Sequence, residues 1–445
     1  MLESMKRSLS LDFLRGFAIW MMVVFHVFEY SWSGMDNIKD PNYVLHLSPL
    51  MVIVAIIVIQ LAMWAGLFIL ISCCVNVISM QHRIDEGSSL RDLRNRQIYT
   101  GFLVLILGYL TESIISYNGF IGYSLSQGKA DPGGFYHGLL TWKALQIIGL
   151  SIMVSSVVVY ELYKDNGHLK VKRNISVLAC LAVAVLILTP VINWTIRHTV
   201  YSWWSPSDVK TQFDWPPQSF GELLLRLFLV AVNGYMEPIF PFLTTAFIGV
   251  IFGIVLSQEN PDMEFPVYAM LTGFLTTIFG IVLILLGVDS KTPINFRTEI
   301  PWFMISLGGQ IFSVALLLYI VEFHGHVESF TKFTTFWRRW GMMALSIYCL
   351  QIIDFIPKII VYVITGERAH KRGGLDIAWT FLMIAITIIW FEVLLRIWSK
   401  RDFKYSLEWI IVNLTTRAHG FKTSRMQVKS VVYDIEPMKF QRLPD

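Results

Sequence analysis

Charge is scarce in this chain of 445 residues: only 15% are Asp, Glu, Lys or Arg, against about 25% in an ordinary soluble domain. Cysteine is scarcer still. Cys73, Cys74, Cys180 and Cys349 are the only four, all inside apolar runs and none at metal-ligand spacing. No disulfide framework is implied, and the four are expected to be buried small hydrophobes. No dense basic stripe with interleaved aromatic residues occurs, so nucleic-acid binding is excluded. No small-residue cleavage site follows the first apolar run, which contains Asp12 and Arg15 and ends in Tyr30-Ser31-Trp32. The run reads as a retained first helix and not as a signal peptide. Internal repeats of the inverted-transporter kind are lacking as well.

Apolar residues make up 55% of the chain, and they come in blocks. About twenty apolar residues cross a bilayer as a helix, and in lipid each segment must pair its own backbone. Spans are expected at 9–31, 49–79, 97–117, 144–163, 174–195, 237–257, 266–288, 301–322, 341–364 and 375–398. The expected fold is therefore an all-α polytopic membrane protein, a single bundle of about ten transmembrane helices over residues 1–398. A cytoplasmic tail, 399–445, follows, with a short interfacial helix near Tyr405–Ile411. Basic loops flank alternate spans, at Lys6 and Arg7, His82 to Arg96, Lys164 to Arg173, Lys332 to Arg339 and Lys400 to Lys404. The positive-inside rule then puts both termini in the cytoplasm of a multi-pass cell-membrane protein. One loop disagrees: 367–372, with Arg368, His370, Lys371 and Arg372, is basic and falls outside.

Charged groups within a span cost about 2.5–3.5 kcal/mol each on insertion scales. The first span holds the densest set, Asp12, Arg15, His26 and Glu29. Arg15 and His26 are eleven residues apart. At 100° per residue they share one face, roughly 16 Å apart along the axis. Asp12 is placed to pair with Arg15, and Glu29 to orient the His26 ring. A cation near the inner surface suits a phosphate-bearing ligand, and a deeper imidazole suits a general base. The competing interpretation is a structural ion pair and a hydrogen-bonded bundle histidine.

The residues Ser10-Leu11-Asp12-Phe13-Leu14-Arg15-Gly16-Phe17-Ala18-Ile19, followed by Val23-Val24-Phe25-His26, resemble the opening helix of the transmembrane acyltransferase superfamily. Arg-x10-His resembles the signature of its OafA-like branch. Trp142 to Leu150, Pro241 to Gly253, Trp340 to Gln351 and Ser406 to Trp409 resemble segments of its YeiB and heparan-alpha-glucosaminide N-acetyltransferase branches. Two departures stand out. Those branches usually carry Asn at the position of His26, and the glucosaminide enzymes place a catalytic histidine in the following loop, where this chain offers His46. The base is therefore His26 or His46, with His26 preferred.

The resemblance implies acyl transfer across the membrane, from a cytoplasmic acyl-CoA, with acetyl-CoA the expected co-substrate and no metal. Arg15 with Asp12, and Arg94 and Arg96 at the start of the third span, are the candidate CoA-binding residues. Tyr348 and Gln351, with Asp354 and Lys358, would line the acyl-carrier channel. The acceptor is expected to be a glycan or lipid-linked hydroxyl or amine at the outer face. Membrane lipids are partners, and a homodimer is compatible with such a bundle. The alternative is a secondary transporter using buried carboxylates and histidine.

Overall fold

The structure, a computed structural model, describes residues 7–35, 37, 46, 48–51, 65–130, 132–200, 219–234, 236–288, 299–418, 428, 432–433, 437–438 and 440. The architecture is all-helical, and the only strand-like pairings among the described residues are isolated bridges, Arg7 with Pro437 and Trp32 with Leu375. In chain order the helices are α1 (Leu9–Ser31), α2 (Ala65–Asp85), α3 (Leu90–Leu110), α4 (Phe120–Gln127), α5 (Gly133–Leu139), α6 (Ala144–Tyr163), α7 (Val171–Val200), α8 (Phe220–Asn233) and α9 (Ile239–Leu256). There follow α10 (Phe265–Leu285), α11 (Ile300–Leu318), α12 (Val327–Phe333), α13 (Thr335–Met342), α14 (Ala344–Cys349), α15 (Phe355–Thr365), α16 (Ile377–Ser399) and α17 (Leu407–Ala418). Among the described residues nine helical stretches are long and apolar enough to cross a membrane.

These helices form where apolar runs need internal backbone pairing, and they pack where small residues let backbones meet. Gly101 on α3 faces Gly149 on α6, and a Cβ on Gly101 would lie 2.5 Å from the Gly149 carbonyl oxygen. On α1, a Cβ at Gly16 would fall 1.7 Å from the carbonyl oxygen of Trp337 on α13. Two apolar clusters fill the bundle. One joins α2, α6, α9 and α11, and the other joins α1, α13, α14 and α16. Outside them α10 leaves Leu271, Phe274, Leu275 and Phe279 exposed, an apolar face fit for lipid tails.

The stretch expected as one span at 341–364 is not one helix. It is α13, α14, a 3-10 turn at Gln351–Asp354 and α15, in succession. None of these pieces has the length of a crossing, so the nine stretches do not include it. Broken backbone at membrane depth persists only where protein or a water-filled cavity satisfies its polar groups. Of the expected span 49–79, residues 52–64 lie outside the described set, and α2 continues past its expected end to Asp85. The polar segment after α16 folds back onto the bundle. Phe403 is buried beside Trp398, and α17 packs on α3 and α14. Its first turn is held by Ser346, whose backbone N–H and hydroxyl donate to the Glu408 carboxylate at 2.9 and 2.5 Å.

Candidate functional site

The start of α1 is fixed by carboxylates. Ser8 caps the helix by accepting from the Leu11 N–H, and the buried Glu322 accepts from the Ser8 hydroxyl at 2.7 Å and the Ser10 N–H at 2.9 Å. Arg7 grips Asp12 through two bonds of 2.9 Å. This corrects the expected Asp12–Arg15 pair: Asp12 is already engaged, by a bidentate fork. Arg15 lies within Coulomb range of Asp12, Arg7, Glu408 and Cys74, and among the described residues it has no hydrogen-bond or ion-pair partner. It nevertheless keeps accessible surface.

Further along the same helix, His26 places Nδ1 2.6 Å from Gln351 Oε1. With the amide oxygen toward the ring, Nδ1 is the donor in this contact, and Gln351 Nε2 has no hydrogen-bond partner among the described residues. The orienting role expected of Glu29 falls to Gln351. Glu29 is near enough to act on the ring by charge alone. The break at α14 and the 3-10 turn brings Gln351 there. Tyr348, Gln351 and Asp354 do not line one helical face. Each meets a different partner around His26.

Those partners form a polar network. The Tyr348 hydroxyl donates to Glu112 Oε1 at 2.9 Å, and the Lys143 ammonium pairs with Glu112 Oε2. The Tyr117 hydroxyl donates to Asp354 Oδ2, which also pairs with Lys358 at 2.7 Å. The Tyr117 ring stacks on Tyr30 at 4.3 Å between centroids, and Lys358 sits 4.7 Å over it. The His26 ring lies 6.2 Å from Tyr117 and 6.4 Å from Tyr30. Beyond these tyrosines opens a cavity of about 640 Å³, with Lys358, His370, Lys371 and Arg372 in its wall. Burial, with Lys371 and Arg368 beside it, holds the His370 imidazole below the ordinary histidine range.

The other expected residues are placed elsewhere. Arg94 donates to Asn95 Oδ1 at 2.8 and 3.1 Å and stacks 4.3 Å over Tyr160. Arg96 is half-buried within Coulomb range of Arg83. His46 is exposed in a turn, and most of the segment before it lies outside the described residues. The structure therefore brings together His26, Gln351 and Tyr348, with Arg15 on the same helix. Arg94 and Arg96 lie on α3. Sequence reasoning missed Glu112, Lys143, Tyr117 and the basic loop as parts of one site. Glu112 offered a signal, since it is a carboxylate inside an apolar run.

No protein-family model matches the chain, and no curated protein is similar enough to match it.

Proposed function

We propose that this chain is a membrane-embedded acyltransferase. It moves an acyl group, acetyl by preference, from cytoplasmic acyl-CoA to a hydroxyl or amine on a glycan or envelope acceptor at the outer face. In this reading the chain crosses the cell membrane ten times, the broken stretch at 341–364 being the ninth crossing in chain order, and both termini are cytoplasmic. The observation that carries the proposal is the state of α1. A guanidinium with no hydrogen-bond or ion-pair partner among the described residues sits eleven residues before an imidazole whose Nδ1 is tied to Gln351 Oε1. A cation left unpaired within a span is costly and calls for a ligand. Arginine matches the geometry of CoA phosphates.

In the proposed reaction His26 Nε2 takes the proton of the acceptor hydroxyl as its oxygen attacks the thioester carbonyl. The tetrahedral centre collapses, the C–S bond breaks, and the imidazolium returns the proton to the departing CoA thiolate. The product is the acyl ester of the acceptor, or the amide where the acceptor is an amine. Gln351 keeps the ring in the tautomer that this needs.

A second reading, an ion-coupled transporter, is favoured by one observation: broken helices at membrane depth mark substrate sites in transporters. Acetyl-CoA separates the two. With purified protein in detergent, millimolar CoA should raise the melting temperature, and Arg15→Ala should abolish the shift. Charge-assisted hydrogen bonds are worth about 1.5–3 kcal/mol each, so CoA affinity should fall about 10- to 100-fold. No stabilisation of the unsubstituted protein by CoA would favour the transporter.

A further inference from the structure

The basic loop that breaks the positive-inside pattern supplies Ala369 to Arg372 to the wall of the cavity, which shares Tyr30 and Tyr117 with the surroundings of His26. Its position is fixed. Gly373 N–H donates to the Tyr30 carbonyl and Leu375 N–H to that of Ser31, both at 2.9 Å, and Ser33 N–H returns a bond of 2.9 Å to Leu375. The loop is thus zipped onto the end of α1, four residues past His26. Arg372 lies 5.1 Å over the Tyr30 ring, and neither it nor Lys371 has a carboxylate partner among the described residues. Both side chains are exposed. Lys358, behind them, is matched by Asp354. Glu29 and Glu112 lie within Coulomb range of Tyr30, and Glu367 and Asp376 flank the loop in the chain; none of the four lines the cavity. Asp354 is not in the cavity wall either. The wall is therefore cationic and aromatic, with two cations unmatched.

From this we infer that the cavity binds the acceptor, and that the acceptor is anionic: a sugar bearing a phosphate or carboxylate, held by Lys371 and Arg372. The inference rests on the acyltransferase reading for the word acceptor, but the anion site stands on its own geometry. A volume of about 640 Å³ falls within the range of about 300–1,000 Å³ usual for small-molecule sites. Fixed cations at a low-dielectric mouth concentrate anions there. The same chemistry could arrive on a soluble acidic sugar or on a polyprenyl diphosphate-linked one.

The test is a binding titration on the full chain in nanodiscs of neutral lipid, with glucose 6-phosphate, glucuronate and glucose as probes. Tyrosine and tryptophan fluorescence reports occupancy. The two acids should bind, glucose at least tenfold more weakly, and the affinity of the acids should fall as salt rises. The double variant K371A/R372A, on an exposed loop, should lose at least tenfold for the acids and nothing for glucose. R372K should retain most of the affinity. Displacement of glucose 6-phosphate by nanodiscs carrying a polyprenyl diphosphate would assign a lipid-borne source, and persistence of binding would assign a soluble one. Equal binding of glucose and the acids, or acid binding unchanged in K371A/R372A, overturns the inference. Loss of CoA stabilisation with acid binding intact would instead strike at the acyltransferase reading alone.

Discussion

At the scale of single residues the site turns on one hydrogen bond. Gln351 Oε1 accepts from His26 Nδ1 at 2.6 Å, and that decides which nitrogen is free to take a proton. His26→Ala should lower kcat about 10²- to 10⁴-fold, the usual contribution of a positioned base, while CoA still stabilises the protein. Full activity in that variant, with loss in His46→Ala, would move the base to the loop. Gln351→Leu keeps the volume but frees the ring to change tautomer. Steady-state kinetics should then show kcat down about tenfold or more with KM for acyl-CoA little changed. An unchanged kcat would make the bond merely structural. The titration of His370 makes a further point about the cavity. Because its folded pKa is below the ordinary value, it is neutral near pH 7 and takes up a proton only as the pH falls. Affinity for glucuronate should therefore be flat from pH 7 to 8 and rise as the pH falls below the ordinary histidine range, the sign expected for gaining a cation beside an anion. A fall in affinity on acidification to pH 5.5 would contradict it.

At the scale of elements, the crossing of α1 and α13 holds the two ends of the site in register. Backbones touch there because Gly16 has no side chain: a Cβ would overlap the Trp337 carbonyl and approach Gly341 N at 3.0 Å. Gly16→Ala must push the helices apart, at a cost of about 1–3 kcal/mol. The detergent-solubilised variant should melt several degrees lower and lose activity beyond what folding explains, because α1 carries both Arg15 and His26. Such close approach is legible in a sequence, as a small residue in an apolar run. So were most spans, since twenty apolar residues in lipid have few alternatives. The break between α14 and α15 was not. Tyr348, Gln351 and Asp354 fall three apart, which reads as one helical face. Only packing shows that they diverge to Glu112, His26 and Tyr117. Partner choice was hidden for the same reason. Asp12 sits three residues before Arg15, yet it pairs with Arg7, five residues before it, because Arg7 reaches back from outside the helix. The pairing of Lys143 with Glu112 joins residues 31 apart in the chain, and no local pattern encodes that.

At the scale of the whole molecule, the proposed chemistry needs a direction. Chain alternation places the turn after α2, with exposed Glu86, on the side where α1 begins, and the loop after α4, with exposed Lys129, on the side where α1 ends. Arg15 lies near the first side and the cavity at the second. Acyl-CoA is made and kept in the cytoplasm, so only one insertion suits the enzyme. Single cysteines can read it: Cys73, Cys74 and Cys349 are buried, and the exposed Cys180 is replaced by serine to leave a quiet background. In intact cells a membrane-impermeant maleimide should label Lys129→Cys. Glu86→Cys should react only after permeabilisation. The positive-inside bias supports this result, with the loop at 367–372 as the exception, and the cationic wall supplies that exception with a reason: it would be retained for binding against its topological cost. The reverse labelling pattern would put Arg15 toward the outside, away from any CoA. The guanidinium, without a hydrogen-bond partner among the described residues, would then have to be explained by an anion entering from outside, and the chain would be better read as a transporter.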